Sequence, residues 1–111
     1  MAEHIVVKCK DMIIARVLID NGLALNVCSM ATLERLKVDM SLIFPSIMII
    51  RAFDDMRCEV QGEIELMIEI GLRSFKVNFH VIKVDFPYNM LLGRPWLHVA
   101  GAFTSTPLLE T

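Results

Sequence analysis

Residues 17–24 read Val17-Leu18-Ile19-Asp20-Asn21-Gly22-Leu23-Ala24, an apolar run that leads into an acid, an amide and a glycine. The apolar part is typical of a buried strand, so the run predicts an aspartate at a strand end. Two interpretations are open. Asn-Gly between apolar segments is a strong signal for a β-hairpin turn, because both residues tolerate positive φ. Alternatively, the turn lifts the Asp20 carboxylate out of the strand and presents it as a reagent.

Three later segments bear on this choice. They are Ile50-Arg51-Ala52-Phe53-Asp54, Gly62-Glu63-Ile64, and Tyr88-Asn89-Met90-Leu91-Leu92-Gly93-Arg94-Pro95-Trp96-Leu97-His98. Together with Asp20-Asn21-Gly22 they resemble the retropepsin-like aspartic protease domain in the Gag-Pol polyproteins of plant gypsy-type retrotransposons. The resemblance extends from about Met12 to Ser105.

The resemblance implies a fold, an assembly and a reaction. The fold would be mainly β with one or two short helices, as a closed barrel of the acid-protease type. The chain would work as a homodimer and hydrolyse peptide bonds of its own polyprotein. Asp20, Asn21 and Gly22 would form the catalytic motif, with one Asp20 from each subunit.

The resemblance also assigns supporting roles. Ala52, Phe53 and Asp54 fall where the flap closes over bound peptide, although this segment carries Asp54-Asp55 where viral members are usually glycine-rich. By itself, the segment from Arg51 to Arg57 equally fits a solvated hairpin. Four residues would support the catalytic loop: Leu91, Leu92, Gly93 and Arg94.

Three positions differ from the usual family pattern. Asn21 stands where Thr or Ser is usual, Leu23 stands where Ala is common, and Ala24 occupies a position where some viral members have an acid that pairs with the arginine of the Gly-Arg motif. A second function therefore stays open, a catalytically inactive relic of the fold that serves as a dimerisation or peptide-binding module.

Composition limits the function independently. A chain of 111 residues with 55% hydrophobic and 22% charged residues predicts a single globular domain over residues 1–111. The net charge of −2 gives no basic footprint for nucleic acid. No apolar run approaches the roughly 20 residues of a membrane-spanning helix, and no signal peptide is expected. A mean hydropathy of +0.55 suggests an apolar surface that a partner covers.

Cysteine and histidine usage argues against a metal or cofactor. Cys9, Cys28 and Cys58 are odd in number and irregularly spaced, which favours reduced thiols and a cytoplasmic location over a disulfide framework. The chain has no Cys-x₂-Cys or His-x₃-His pair, so no zinc site is predicted. His80 is expected to face outward from a strand.

Periodicity places the elements. A hairpin is predicted from His4–Lys8 and Met12–Ile19, then a short strand at Leu23–Val27 and a helix capped by Ser29 that ends near Leu36. Later expectations are a loop at Pro45-Ser46, strands at Ile47–Ile50, Glu59–Ile70 and Phe75–Val81, and an edge strand at Gly101–Thr106. The resemblance implies a short helix at Arg94–Val99, in which Pro95 fits the first turn, and Trp96 is expected in the core.

Overall fold

The computed structural model describes residues 2–51, 57–83 and 87–103. Its first two strands, β1 (Ala2–Cys9) and β2 (Met12–Asp20), pair antiparallel as predicted. Lys10 and Asp11 form the turn with φ of 50° and 65°. Positive φ at both central residues matches the right-handed twist of the flanking strands. β2 buries its last apolar residues, and the aspartate at its end is half-buried.

The third strand starts later than the sequence indicated. β3 covers Val27–Ser29, so the predicted strand at Leu23–Val27 is wrong except for its last residue. The preceding residues form a loop because their backbone groups bind elsewhere: the Leu23 carbonyl accepts from the Arg94 N–H at 2.9 Å. A carbonyl used in this way is not available to a neighbouring strand.

A short helix, α1 (Met30–Arg35), follows β3 and confirms the predicted cap. The Ser29 hydroxyl accepts from the Thr32 N–H at 3.2 Å, which satisfies one of the free donors of the first turn. The C-terminal cap is Leu36, where the helix was expected to end.

The next three strands form an antiparallel arm. They are β4 (Phe44–Arg51), β5 (Arg57–Ile70) and β6 (Arg73–Ile82). Pro45 was predicted in a loop but pairs with Gly62 inside the ladder, beside an irregularity in the register. A proline is tolerated there because β4 is the last strand of the sheet order and pairs on one side only among the described residues.

The last elements are β7 (Met90–Leu92) and α2 (Arg94–Phe103). The helix is longer than the predicted Arg94–Val99, and residues 101–103, expected in an edge strand, are helical. The helix continues because Ala100 still packs in the core, while a Cβ added at the exposed Gly101 would meet no neighbouring atom within 4 Å. The rest of the predicted edge strand, residues 104–106, lies outside the described residues.

The strands close into a barrel. The sheet order is β1-β2-β7-β3-β6-β5-β4, and an additional pairing of Lys8 with Glu69 joins β1 to β5, so that six strands form a ring and β4 extends beyond it. β7 runs parallel to β2, and β3 runs parallel to β6. This confirms the predicted all-β closed barrel with short helices.

The barrel interior is apolar, and α2 packs against it through one aromatic residue. Trp96 is 2% exposed and meets Phe75 edge-on, with ring centroids 5.6 Å apart, as predicted for a core tryptophan. Among the described residues, no helix has the length and apolar character needed to cross a membrane.

Candidate active site

The Asp20 carboxylate is oriented by the loop that follows it. Its Oδ1 accepts from the Gly22 N–H at 2.8 Å, and the Asp20 carbonyl accepts from the Leu23 N–H at 3.2 Å. A Cβ at Gly22 would lie 3.2 Å from the same Oδ1, so a larger residue would crowd the carboxylate. The loop therefore forms a tight turn that fixes the acid at the end of β2.

β7 pairs with β2, the strand that leads into this loop. Its parallel register pairs Ile19 with Leu92, so Gly93 follows Leu92 at the level where Asp20 follows Ile19. A Cβ at Gly93 would lie only 2.4 Å from the Leu25 carbonyl and 2.8 Å from the Leu23 carbonyl. Only glycine fits at this distance, because real Cβ atoms do not approach backbone so closely. The structure thus brings Gly93 against the Asp20 loop.

Asn26 is a residue of this site that sequence reasoning missed. Its side chain is buried, its Oδ1 accepts from the Gly93 N–H at 2.8 Å, and its Nδ2 donates to the Asn78 carbonyl at 3.3 Å. Both ends of the amide are therefore used, which offsets the cost of burying it. A lone amide between Leu25 and Val27 was the available signal.

A small apolar cavity adjoins the loop. Its volume is about 220 Å³, and it is lined by Leu23, Ala24, Leu25, Val27 and Ile50. Ile50 belongs to β4, so the cavity lies between the loop and the strand that leads to the predicted flap. It has room for one medium-sized apolar side chain.

Several solved structures have a similar overall fold. The retroviral protease-like domain of Ddi1 from Leishmania major has a TM-score of 0.69 and 20% identity, covering 86% of this chain and 74% of that one. The EIAV protease complexed with the inhibitor HBY-793 has a TM-score of 0.68 and 21% identity, covering 91% and 89%. The chain has the retropepsin fold.

A retropepsin-like aspartic protease from Rickettsia conorii is also similar, with a TM-score of 0.58 and 20% identity over 86% of this chain and 68% of that one. No family model and no curated protein matches the sequence. The similarity to the retropepsin fold therefore rests on the structure, and what the site does here follows from its own residues.

A second missed residue, Asn89, ties the elements of this retropepsin fold together. Its N–H donates to the Arg16 carbonyl at 2.9 Å, and its Nδ2 donates to the Ala15 carbonyl at 2.6 Å. Arg16 has a φ of 55°, within an irregularity of the β1–β2 ladder. The Asn89 Oδ1 also accepts from Thr32 at 3.1 Å and from the Arg35 guanidinium, which links β2 and β7 to α1.

The predicted residues fall into two groups. Asp20, Asn21, Gly22 and the segment from Leu91 to Arg94 lie together at the ends of β2 and β7, with the Arg94 side chain exposed. The predicted flap residues Ala52, Phe53 and Asp54 lie outside the described residues. The strands that lead into that segment are described, and they pair up to Arg51 and Arg57.

Other reactive side chains are unsuited to chemistry. Burial raises the pKa of the Cys9, Cys28 and Cys58 thiols, so they stay protonated and are poor nucleophiles. The described ranges contain no cluster of three or more His, Cys, Asp or Glu side chains able to hold a metal ion.

His80 is less exposed than expected. It was predicted to face outward, yet only 12% of its side chain is accessible, with its Nε2 3.8 Å from Glu63. The reason is the loop before β3, which packs beside His80. The His80 N–H donates to the Asn26 carbonyl of that loop at 2.8 Å.

Proposed function

We propose that the chain is an aspartic endopeptidase that acts as a homodimer, with one Asp20 from each subunit. The observation that supports this most directly is the position of the Asp20 carboxylate. It stands at the end of a core strand, is held by the Gly22 N–H, and lies beside Gly93 at the end of the parallel strand. A simple hairpin turn at Asn21-Gly22 would not require β7 beside it.

A dyad of such carboxylates can hydrolyse a peptide bond. Two carboxylates a few ångströms apart cannot both be ionised, so the pair holds one proton, as in aspartic proteases generally. The ionised member takes a proton from a water molecule, which attacks the scissile carbonyl carbon. The protonated member donates to the developing oxyanion. A proton then passes from the dyad to the leaving nitrogen, and the C–N bond breaks.

The sequence contains one Asp-Xaa-Gly. The other aspartates, which have no glycine two positions later, are Asp11, Asp39, Asp54, Asp55 and Asp85. A second copy of the chain is therefore needed to complete the dyad, and a twofold axis would bring the two loops together. Asn21, which is exposed at the loop tip, carries an amide that combines a donor and an acceptor.

The cavity beside the loop indicates which class of substrate the site would favour. Its five lining residues are all apolar, so it favours a substrate with a medium-sized apolar side chain next to the scissile bond. Together with the resemblance to retrotransposon Gag-Pol domains, this supports processing of the chain's own polyprotein in the cytoplasm. The reaction described needs no cofactor.

The test is a cleavage assay of the purified protein on a peptide library, with Asp20→Asn beside it. We expect this variant to lose activity by a factor of about a thousand or more. Its fold should persist, because an amide oxygen can still accept from the Gly22 N–H. Asp11→Asn is the matched control, since the Asp11 side chain is 97% exposed in a turn, and it should cleave normally.

The outcomes separate the two functions that the sequence left open. If Asp20→Asn cleaves as fast as the unmodified chain, Asp20 is a turn residue and the assignment is wrong. If neither protein cleaves at any concentration but both dimerise, the inactive dimerisation module replaces the enzyme. A statine-type transition-state mimic should inhibit the unmodified protein.

A further inference from the structure

One face of the barrel carries an unpaired strand edge that the proposed reaction does not use. β6 pairs with β5 along its whole length, from Arg73 to Ile82, but β3 pairs only with its last three residues, His80 to Ile82. Among the described residues, positions 74–79 of β6 therefore have one neighbouring strand. A strand edge in this state is a template for another extended segment.

The hydrogen bonds of Asn26 show which backbone groups face this edge. The His80 N–H and the Asn78 carbonyl both bind Asn26, so both point away from β5. Backbone groups alternate in direction along a strand. The N–H of Asn78 and both backbone groups of Lys76 therefore point to the same open side.

A groove runs along this edge. Its volume is about 420 Å³, and it lies between β6, the loop before β3, and α2. Leu25, Pro95, Trp96 and Val99 give it apolar walls, and Lys76 stands on its β6 side. An extended peptide with one apolar side chain would fit this combination of backbone edge and apolar wall.

Two buried ring nitrogens adjoin the groove and lack partners. Trp96 and His80 both line it, and neither the Trp96 Nε1 nor the His80 Nδ1 has a hydrogen-bond partner within the described ranges. Trp96 is 98% buried, given its 2% exposure, and its indole nitrogen is a donor only. Both nitrogens are buried, so the single Trp96 indole N–H can report on the groove but is not itself open to a ligand in it.

We propose that this groove binds an extended segment of a partner polypeptide by strand addition to β6. The segment's backbone would pair with the Lys76 N–H and carbonyl. An apolar side chain of the segment would fill the space between Leu25 and Val99. The site is separate from the Asp20 carboxylate and shares only Asn26 and Leu25 with the loop.

The test uses a defined probe, the capped peptide acetyl-Ser-Thr-Val-Thr-Leu-Thr-Ser-amide, titrated into the isotope-labelled protein and followed by NMR. The control peptide has Pro in place of Val, which removes a backbone donor from the added strand. Because the chain has one tryptophan, its indole N–H gives a single signal. We expect that signal to move and the Lys76 amide to exchange more slowly with the first peptide but not with the second.

Two substitutions at one position isolate the backbone contact. Lys76→Pro removes the N–H that faces the edge, whereas Lys76→Thr removes the same charge and keeps the N–H. We expect Lys76→Pro to weaken binding by more than about tenfold, because proline has no backbone N–H to donate to an added strand. Lys76→Thr should bind within about threefold of the unmodified chain, because an exposed charge contributes little.

Equal binding by Lys76→Pro and Lys76→Thr would overturn the strand-addition proposal. So would an indole signal that does not move at saturation, or an absence of binding up to millimolar peptide. Since the readout is binding, it is independent of whether the protein cleaves peptides.

Discussion

The loop that carries Asp20 and the strand β4 face the same apolar cavity, yet they are held in very different ways. Hydrogen bonds and close packing fix the loop: Gly22 holds the carboxylate, while Asn26 and Gly93 lock the loop to β7. β4 has one neighbouring strand among the described residues, and Ile47 on it is 95% exposed. It is anchored mainly by pairing with β5.

The difference fits two tasks that the proposed protease activity would require of the site. A reacting carboxylate must be placed within a fraction of an ångström, which demands a rigid support. A wall that admits substrate has to move, and segments with few buried contacts open at low free-energy cost. The side of the cavity that carries Asp20 is therefore rigid, and the side formed by β4 is adaptable.

The largest effect on stability is expected from filling the space under the loop. Gly93→Ala places a Cβ 2.4 Å from the Leu25 carbonyl, and backbone cannot move aside as a side chain can. We expect a loss of about 3 kcal/mol or more in the free energy of unfolding, measured by urea denaturation. Gly101→Ala on α2 is the matched control, because a Cβ there would meet no neighbouring atom within 4 Å. It should be neutral or stabilising by about 0.5–1 kcal/mol.

A smaller effect is expected from cutting the amide link. Asn26→Ala leaves the Gly93 N–H buried without its acceptor, which should cost about 1–3 kcal/mol of stability. Peptide cleavage should fall as well, since the loop loses its tie to β7. Gln61→Ala, on the exposed face of β5, should change stability by less than about 0.5 kcal/mol. A similar result for the two variants would show that the loop does not depend on Asn26.

A loss of stability of intermediate size is expected from removing the N-terminal cap of α1, the helix after β3. Ser29→Ala removes the cap of α1 and should cost about 1 kcal/mol in a thermal or chemical denaturation experiment. Ser74→Ala, at an exposed strand position, serves as the control. A cost near zero would mean that the contacts of Asn89 with Thr32 and Arg35 hold this helix without its cap.

The smallest effect is expected on β4. Ile47→Thr keeps the branched side chain that strands favour and should shift stability by less than about 0.5 kcal/mol. Val60→Thr, on the neighbouring strand but 2% exposed, should cost about 1–3 kcal/mol by burying a hydroxyl. If Ile47→Thr were as costly as Val60→Thr, β4 would be covered in solution, and the contrast drawn above would fail.

Local elements could be predicted from the sequence where the hydrophobic periodicity and the turn and capping residues agreed. Alternation along β5 and β6 and the capping serine of α1 were readable because each depends on neighbours in sequence. The position of Asp20 at a strand end was readable for the same reason. The closed barrel was expected from the family resemblance, since no local pattern specifies that β1 pairs with β5.

What the sequence could not reveal depends on distant partners. Leu23 to Asn26 read as a strand, but their backbone and side-chain groups bind the residues after β7, some seventy positions away. Asn26 and Asn89 looked like ordinary polar residues because their roles come from carbonyls and N–H groups on other elements. His80 alternates like an exposed residue, and only the loop packed over it makes it mostly buried.

The central claim, that two chains each contribute one Asp20, is tested most directly by measuring specific activity and sedimentation over the same concentration series. The account predicts that specific activity falls as the protein is diluted through its dimer dissociation constant, in step with the loss of dimer. Mixing the unmodified chain with excess Asp20→Asn chain should also suppress activity, because mixed dimers carry one carboxylate. Full specific activity in a sample that sediments as a monomer would contradict the two-chain site.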